Sequence, residues 1–262
     1  MKRLLTLALV LLVPVSVLAA SPIDGTWKLE PEHATLSAKP YEYLLKDGVF
    51  HCYSCVPPLT TPADGKEHPV KGDPDVDAAT IHVVDQHRVD KIFVKGGQKL
   101  ASSSFTVSTD GKTAVGEYTS YVGVGTAGPV KTAFEYVRLK PAPAGAHAHS
   151  GSWRQTRITS ASDATMVVTL KLEGTALKMT SPLGQSYSAP VDGTEVPYVG
   201  DPYTDTVSVK RIDARTFEET DKRAGKVTGV SRMTVGADGK TLTSKYHDLV
   251  SGRDFEQVMT KQ

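Results

Sequence analysis

Apolar and polar residues alternate with a period of two through most of the chain. "TVSVKRI" from Thr206 sets branched residues against polar ones, and "ATIHVVD" from Ala79 does the same. Such alternation places one set of side chains on each face of a strand. "SSFTVSTDGKTAVGEY" and "RMTVGADGKTLTSKY" each hold two alternating runs around an Asp-Gly pair, a dipeptide that favours the positive φ of tight hairpins. Further turn signals stand at Asp47-Gly48, Asp64-Gly65, Gly96-Gly97 and Asp192-Gly193. No stretch shows the 3.6-residue period of an amphipathic helix. The runs predict about seven to nine short strands in each half of the chain. An antiparallel meander of that size avoids exposed edges by closing on itself. The expected class is therefore all-β, with two tandem antiparallel up-and-down β-barrels.

The division into halves rests on a repeat. "PADGKEHPVKGDP" from Pro62 returns as "PVDGTEVPYVGDP" from Pro190, and the register runs ungapped from Pro62–Thr113 to Pro190–Thr241. Asp64, Gly72-Asp73-Pro74, Asp77, Asp85 and Asp110-Gly111 answer to Asp192, Gly200-Asp201-Pro202, Asp205, Asp213 and Asp238-Gly239. "FEYVRLK" from Phe134 answers to "FEQVMTK" from Phe255. A unit of roughly 115 residues is an ordinary domain. "PAPAGAHAHS", 141–150, has no apolar period and reads as a solvated linker. The expected domains are 21–140 and 151–262, with the linker between them.

Residues 1–20 look like a signal peptide: Lys2 and Arg3, an apolar run from Leu4 to Val13, then the small residues Ala19-Ala20. That run is too short for a membrane span, so the expectation is a periplasmic or secreted protein with no transmembrane anchor after cleavage. Without Lys2 and Arg3 the chain carries 28 basic against 29 acidic residues. That balance gives nucleic acid no electrostatic foothold. Aromatic residues make up only 7% of the chain, which favours a filled or narrow barrel interior.

Each half opens with glycine, any residue, tryptophan: Gly25-Thr26-Trp27 and Gly151-Ser152-Trp153. This resembles the first motif of the lipocalins and related calycins. The whole chain is similar to exported bacterial proteins with tandem lipocalin-like domains. The resemblance implies that Trp27 and Trp153 close one end of each barrel. It also implies an arginine on the last strand lying over the tryptophan. Arg138 can fill that role in the first half, whereas Met259 breaks the pattern in the second.

One feature is not repeated: "FHCYSC", Phe50 to Cys55. In an exported protein Cys52 and Cys55 are expected to form a disulfide. Residues three apart on a regular strand are about 10 Å apart, too far for that bond, so the strand must break near Ser54, where Val56-Pro57-Pro58 follows. A thiol-redox pair and a metal site remain open; His51, Cys52, Cys55 and His68 are the metal candidates, with His33, His147 and His149 as other donors. The recurring aspartates Asp64, Asp73, Asp77 and Asp110 are expected to cap turns. The sequence holds no Gly-x-Ser-x-Gly, His-Glu-x-x-His or phosphate-loop motif. "YVGVGTAGPV" from Tyr121 is seven residues longer than its counterpart and suits a lid or contact loop.

The function expected from these features is non-enzymatic binding in the periplasm, with a small apolar ligand and no cofactor. Phe50, Tyr53, Tyr121 and Val124 are the ligand-facing candidates, and if either barrel is hollow the first is the one expected to be. The alternatives are an envelope protein-interaction or inhibitor module without a pocket, and a thiol-redox or metal protein centred on the cysteines.

Overall fold

The structure, a computed structural model, describes residues 20–262; the basic start and apolar run of the expected signal peptide lie outside the described residues. The chain is all-β, and its only helical turns are the short 3-10 segments Pro31–His33 and Asp163–Thr165 among the described residues. Twenty strands form two antiparallel ten-stranded sheets, each nearly closed into an up-and-down barrel. Ten strands per barrel is more than the alternating runs predict. The additions are short pieces such as Glu67–Pro69 and Ser186–Pro190, too brief to show a period.

The register of the repeat is the register of the fold. Ala78–Val83, Arg88–Lys95, Gln98–Val107 and Thr113–Ser120 return as Thr206–Arg211, Thr216–Arg223, Lys226–Val235 and Thr241–Asp248. The repeated aspartates cap turns in both copies. Asp85 Oδ1 accepts from the amides of His87 and Arg88, and Asp213 Oδ1 from those of Arg215 and Thr216. Asp64, Asp73 and Asp110 likewise accept amides two residues on, while Asp77 accepts the amide of Gly96.

The sheets do not follow the expected split at 141–150. One runs from Leu59–Pro62 through Val49–Cys52 and Tyr41–Lys46 to Gly151–Ala161, then through Val130–Lys140 and back to Glu67–Pro69. Its member Gly151–Ala161 comes from the second half. The other sheet takes Gly25–Leu29 from the first half and sets it between Val167–Glu173 and Arg253–Lys261. The two halves have exchanged their opening strands. Glu30–Pro40 and Ser162–Met166 carry the chain from one barrel to the other. Below, the first barrel is the one built mainly from the first half.

The exchange changes what 141–150 is. Val130–Lys140 and Gly151–Ala161 are neighbours, with Arg138 opposite Trp153, so 141–150 is a hairpin loop of the first barrel, not a linker. Its end is buried: His149 and Ser150 have 0% exposure. Ser150 Oγ accepts the amide of Leu45, and Arg138 donates to the carbonyls of Ala148, Ser150 and Gly111. Gly151 has φ +119°, and a Cβ there would meet the Lys140 carbonyl oxygen at 2.5 Å, so the turn requires glycine.

Trp27 and Trp153 both have 0% exposure. Each indole donates to the carbonyl four residues earlier, Ile23 for Trp27 and His149 for Trp153. A buried indole N–H needs such a partner. The exchange also moves the cation. Arg138 lies over Trp153 at 4.0 Å from the ring centre, not over Trp27. Lys261 covers Trp27 at 4.8 Å, while Met259 packs against the second core.

Candidate functional site

Repeated positions build the shared fold, so interior positions that differ between copies are where to look for function. Tyr43 and Leu170 stand opposite the two opening glycines, and Tyr41 and Val168 opposite the two tryptophans. Phe105 of the first barrel answers to Met233 of the second in the repeat register. At all three positions the first barrel has an aromatic ring and the second an aliphatic chain. On the strand Arg88–Lys95 alternation turns Val89 and Lys91 inward; the register gives Phe217 and Glu219 as their counterparts. One interior position therefore holds a base in one barrel and an acid in the other. Carried by the same indole contact, His149 answers to Ile23.

Lys91 is only 7% exposed. Its Nζ lies 4.6 Å from the ring centre of Tyr43, 5.1 Å from Phe50 and 5.9 Å from Phe105. Among the described residues it has no hydrogen-bonded or ion-paired acceptor, and burial alone pushes its amine down to about 7. The rings supply cation–π attraction but no negative charge. His149 stacks on Tyr43 at 4.8 Å and meets Phe105 edge-on at 4.7 Å. Both its ring nitrogens are buried without a partner. Burial first, and then the nearby Lys91, hold its basicity well below the ordinary value. Unpartnered buried polar groups are costly and uncommon in native proteins.

Lys91 opens into a cavity of about 290 Å³ in the first barrel, walled by Tyr41, Tyr43, Phe105, Tyr136 and Gln155. A second cavity of about 600 Å³ lies between the barrels. Tyr41, Phe134 and Gln155 border both. The far wall of the second is built from Glu219, Ser231, Tyr246 and Phe255 of the second barrel. Together they fall in the size range of small-molecule sites.

Acids gather on the second barrel's side. The Tyr187 hydroxyl donates to Glu219 Oε2. Asp221, two residues along the same face, is 9% exposed, and its Oδ1 has no partner. Desolvation, then the neighbouring Glu219 and Asp201, push Asp221 up to about 7. Desolvation raises Glu219 as well.

The residues singled out from the sequence are only partly brought together. Phe50 is buried beside Lys91 without lining either cavity. Tyr53 is 55% exposed and stacks on His51 outside the barrel. Tyr121 bonds Ser102 and carries Lys99 over its ring. Val124 belongs to the loop that meets the second barrel, where a Cβ on Gly123 would strike Pro202 and one on Gly125 the Leu183 carbonyl. That loop is a contact between barrels. Tyr53, Tyr121 and Val124 thus lie apart from the cavities. Lys91 and Glu219 carry no motif; the one sequence signal toward them is a charge reversal at an inward position of two aligned strands that share no residue.

Cys52 and Cys55 stand at disulfide distance, with 2.06 Å between sulfurs and 5.4 Å between Cα atoms. The strand ends at Cys52 and gives way to a bend. His51 bonds Thr60 and His68 pairs with Asp64. Among the described residues no group of three or more His, Cys, Asp or Glu is placed to hold a metal ion. A bridge that closes so short a loop constrains the unfolded chain little. Replacing both cysteines with serine is expected to cost about 1–2 kcal/mol, measured by denaturant unfolding; a loss of twice that would mean the bridge organises more than its own turn. No helix among the described residues is long and apolar enough to cross a membrane. No protein-family model matches the chain, and no curated protein is similar to it.

Proposed function

We propose that the chain is an exported, non-enzymatic binding protein that holds a small apolar ligand with an anionic end group in the first barrel. The carrying observation is Lys91: a cation-forming side chain with no acceptor, caged by Tyr43, Phe50 and Phe105 at the wall of a cavity. An anionic ligand would supply the missing charge, and the surrounding rings would cover its apolar body. The low-dielectric setting strengthens that pairing. His149, behind Tyr43, keeps the floor aromatic and closed. The signal-like sequence at residues 1–20 and the paired cysteines support export.

Calorimetry with phenylpropionate and phenylpropanol tests this reading. The two share an apolar body and differ in the end group. The carboxylate is expected to bind at least about tenfold more tightly, the ratio that a 1.4 kcal/mol charge-assisted contact gives. Lys91→Met should abolish the preference and keep the alcohol's affinity. Equal binding of the two probes, or a preference that survives Lys91→Met, would overturn it.

A further inference from the structure

The two cavities share Tyr41, Phe134 and Gln155, so these three side chains form the wall between the space at Lys91 and the space at Glu219. The base and the acid occupy the same position of the two copies. Neither pole is neutralised within the fold. Lys91 lacks an acceptor, and Asp221 beside Glu219 keeps one carboxylate oxygen buried and unpartnered. Between the poles the lining mixes apolar and aromatic side chains, among them Leu29, Phe134, Ile158 and Phe255, with polar ones such as Gln155 and Gln257.

We infer that the ligand is two-ended and spans both barrels, its anionic end at Lys91 and a cationic or hydrogen-donating end, such as an amine, at Glu219, with the buried Asp221 beside it adding to the acidic field. This rests on the reading of Lys91 above and adds the second pole. The class is an amphiphile charged at both ends with an apolar middle. One such molecule would supply a counter-charge at each pole, and its ammonium would favour the ionised carboxylates that burial now disfavours. A ligand with one charged end would leave the Glu219 carboxylate, the acid that lines the cavity, without a counter-charge. The inter-barrel contacts fit a space of fixed length: Arg223 forms a bidentate pair with Asp75 across the barrels, and the 121–130 loop packs on the second barrel.

A graded series of straight-chain ω-amino carboxylates, set against plain carboxylates of matching length, is the test. Titration by calorimetry should find one length at which the amino compound binds about tenfold more tightly than its plain partner, one molecule per chain. Glu219→Gln keeps an oxygen to accept from Tyr187. It should remove that advantage and leave the plain carboxylate's affinity as it was. Lys91→Met should weaken both series. Thermal melts confirm that both variants are folded, and Asp221→Asn serves as the second acid variant should Glu219→Gln melt early. If plain carboxylates bind through Lys91 but the amino group adds nothing at any length, or if two molecules bind per chain, the two-ended ligand is overturned and the Lys91 reading stands. If no member binds in a Lys91-dependent way, both fall.

Discussion

Stability without ligand is expected to pass through a minimum near neutral pH. Lys91 has its folded pKa lowered to about 7 by burial, against about 10.4 in an unfolded chain. Between those values the unfolded state binds a proton that the folded state does not, so stability rises with pH above about 7. The shift is worth about 4–5 kcal/mol at 1.36 kcal/mol per unit. The faces of Tyr43 and Phe50 favour the charged form and return about 0.5–2 kcal/mol, which leaves roughly 2–4 kcal/mol. Asp221 and Glu219 act on the other side. Their folded pKa values are raised, that of Asp221 to about 7, so between about pH 4 and 7 the folded Asp221 holds a proton that the unfolded state has released, and Glu219 acts in the same sense. Stability falls as pH rises through that window. Melting temperature recorded from pH 4 to about 10 should therefore dip in the middle. Lys91→Met should raise stability at pH 7 and flatten the alkaline limb, and Asp221→Asn should flatten the acid limb. An alkaline limb unchanged in Lys91→Met would show that the amine is hydrated and its cage open.

Truncating either tryptophan is expected to cost about 3–5 kcal/mol, as for other large buried aromatics. The exchange decides where the damage lies. Trp153 packs on Phe105 and under Arg138, so Trp153→Ala should loosen the first barrel although the residue belongs to the second half of the sequence. Trp27 belongs to the core with Leu170, Phe217 and Leu242, so Trp27→Ala should loosen the second. Hydrogen exchange in each variant reads this directly: faster exchange around Gln98–Val107 in Trp153→Ala, and around Lys226–Val235 in Trp27→Ala. The reverse pattern, with each tryptophan protecting its own half, would mean that the strands are not exchanged in solution. A loss below about 1 kcal/mol would place the ring outside the core.

The class of fold was legible because period-two alternation and Asp-Gly turns are local signals. The ungapped repeat then aligned four strands per half to the residue. The exchange was hidden for a physical reason. Gly25-Thr26-Trp27 and Gly151-Ser152-Trp153 present the same pattern, so either fits either barrel, and nothing local says which is home. The loop 141–150 has the composition of a linker although it joins two paired strands. Its order comes from distant partners, Leu45 and Arg138. The binding candidates Phe50, Tyr53, Tyr121 and Val124 stand in segments that are not repeated; Phe50 meets the site through Lys91, and the other three lie apart from the two cavities, which repeated segments with changed side chains mostly line. Arg88–Lys95 and Thr216–Arg223 keep their register but share no residue, so Lys91 against Glu219 is one change among eight, and a charged residue on a strand is ordinarily read as facing water.

The exchange also orders assembly in time. Gly25–Leu29 pairs with Val167–Glu173 and with the terminal strand Arg253–Lys261, Trp27 standing opposite Lys261. The earliest strand to emerge thus has no permanent neighbour until Val167–Glu173 is made, and its second neighbour is the last strand of all. Until then it can pair within its own half, in the place that Gly151–Ala161 will take, and must vacate that place. Sequence-distant pairing is slow, and a displaced strand with an open edge invites partners from other chains. In a crowded compartment two chains that trade these strands with each other, rather than within themselves, would make an interlocked dimer from the same set of contacts.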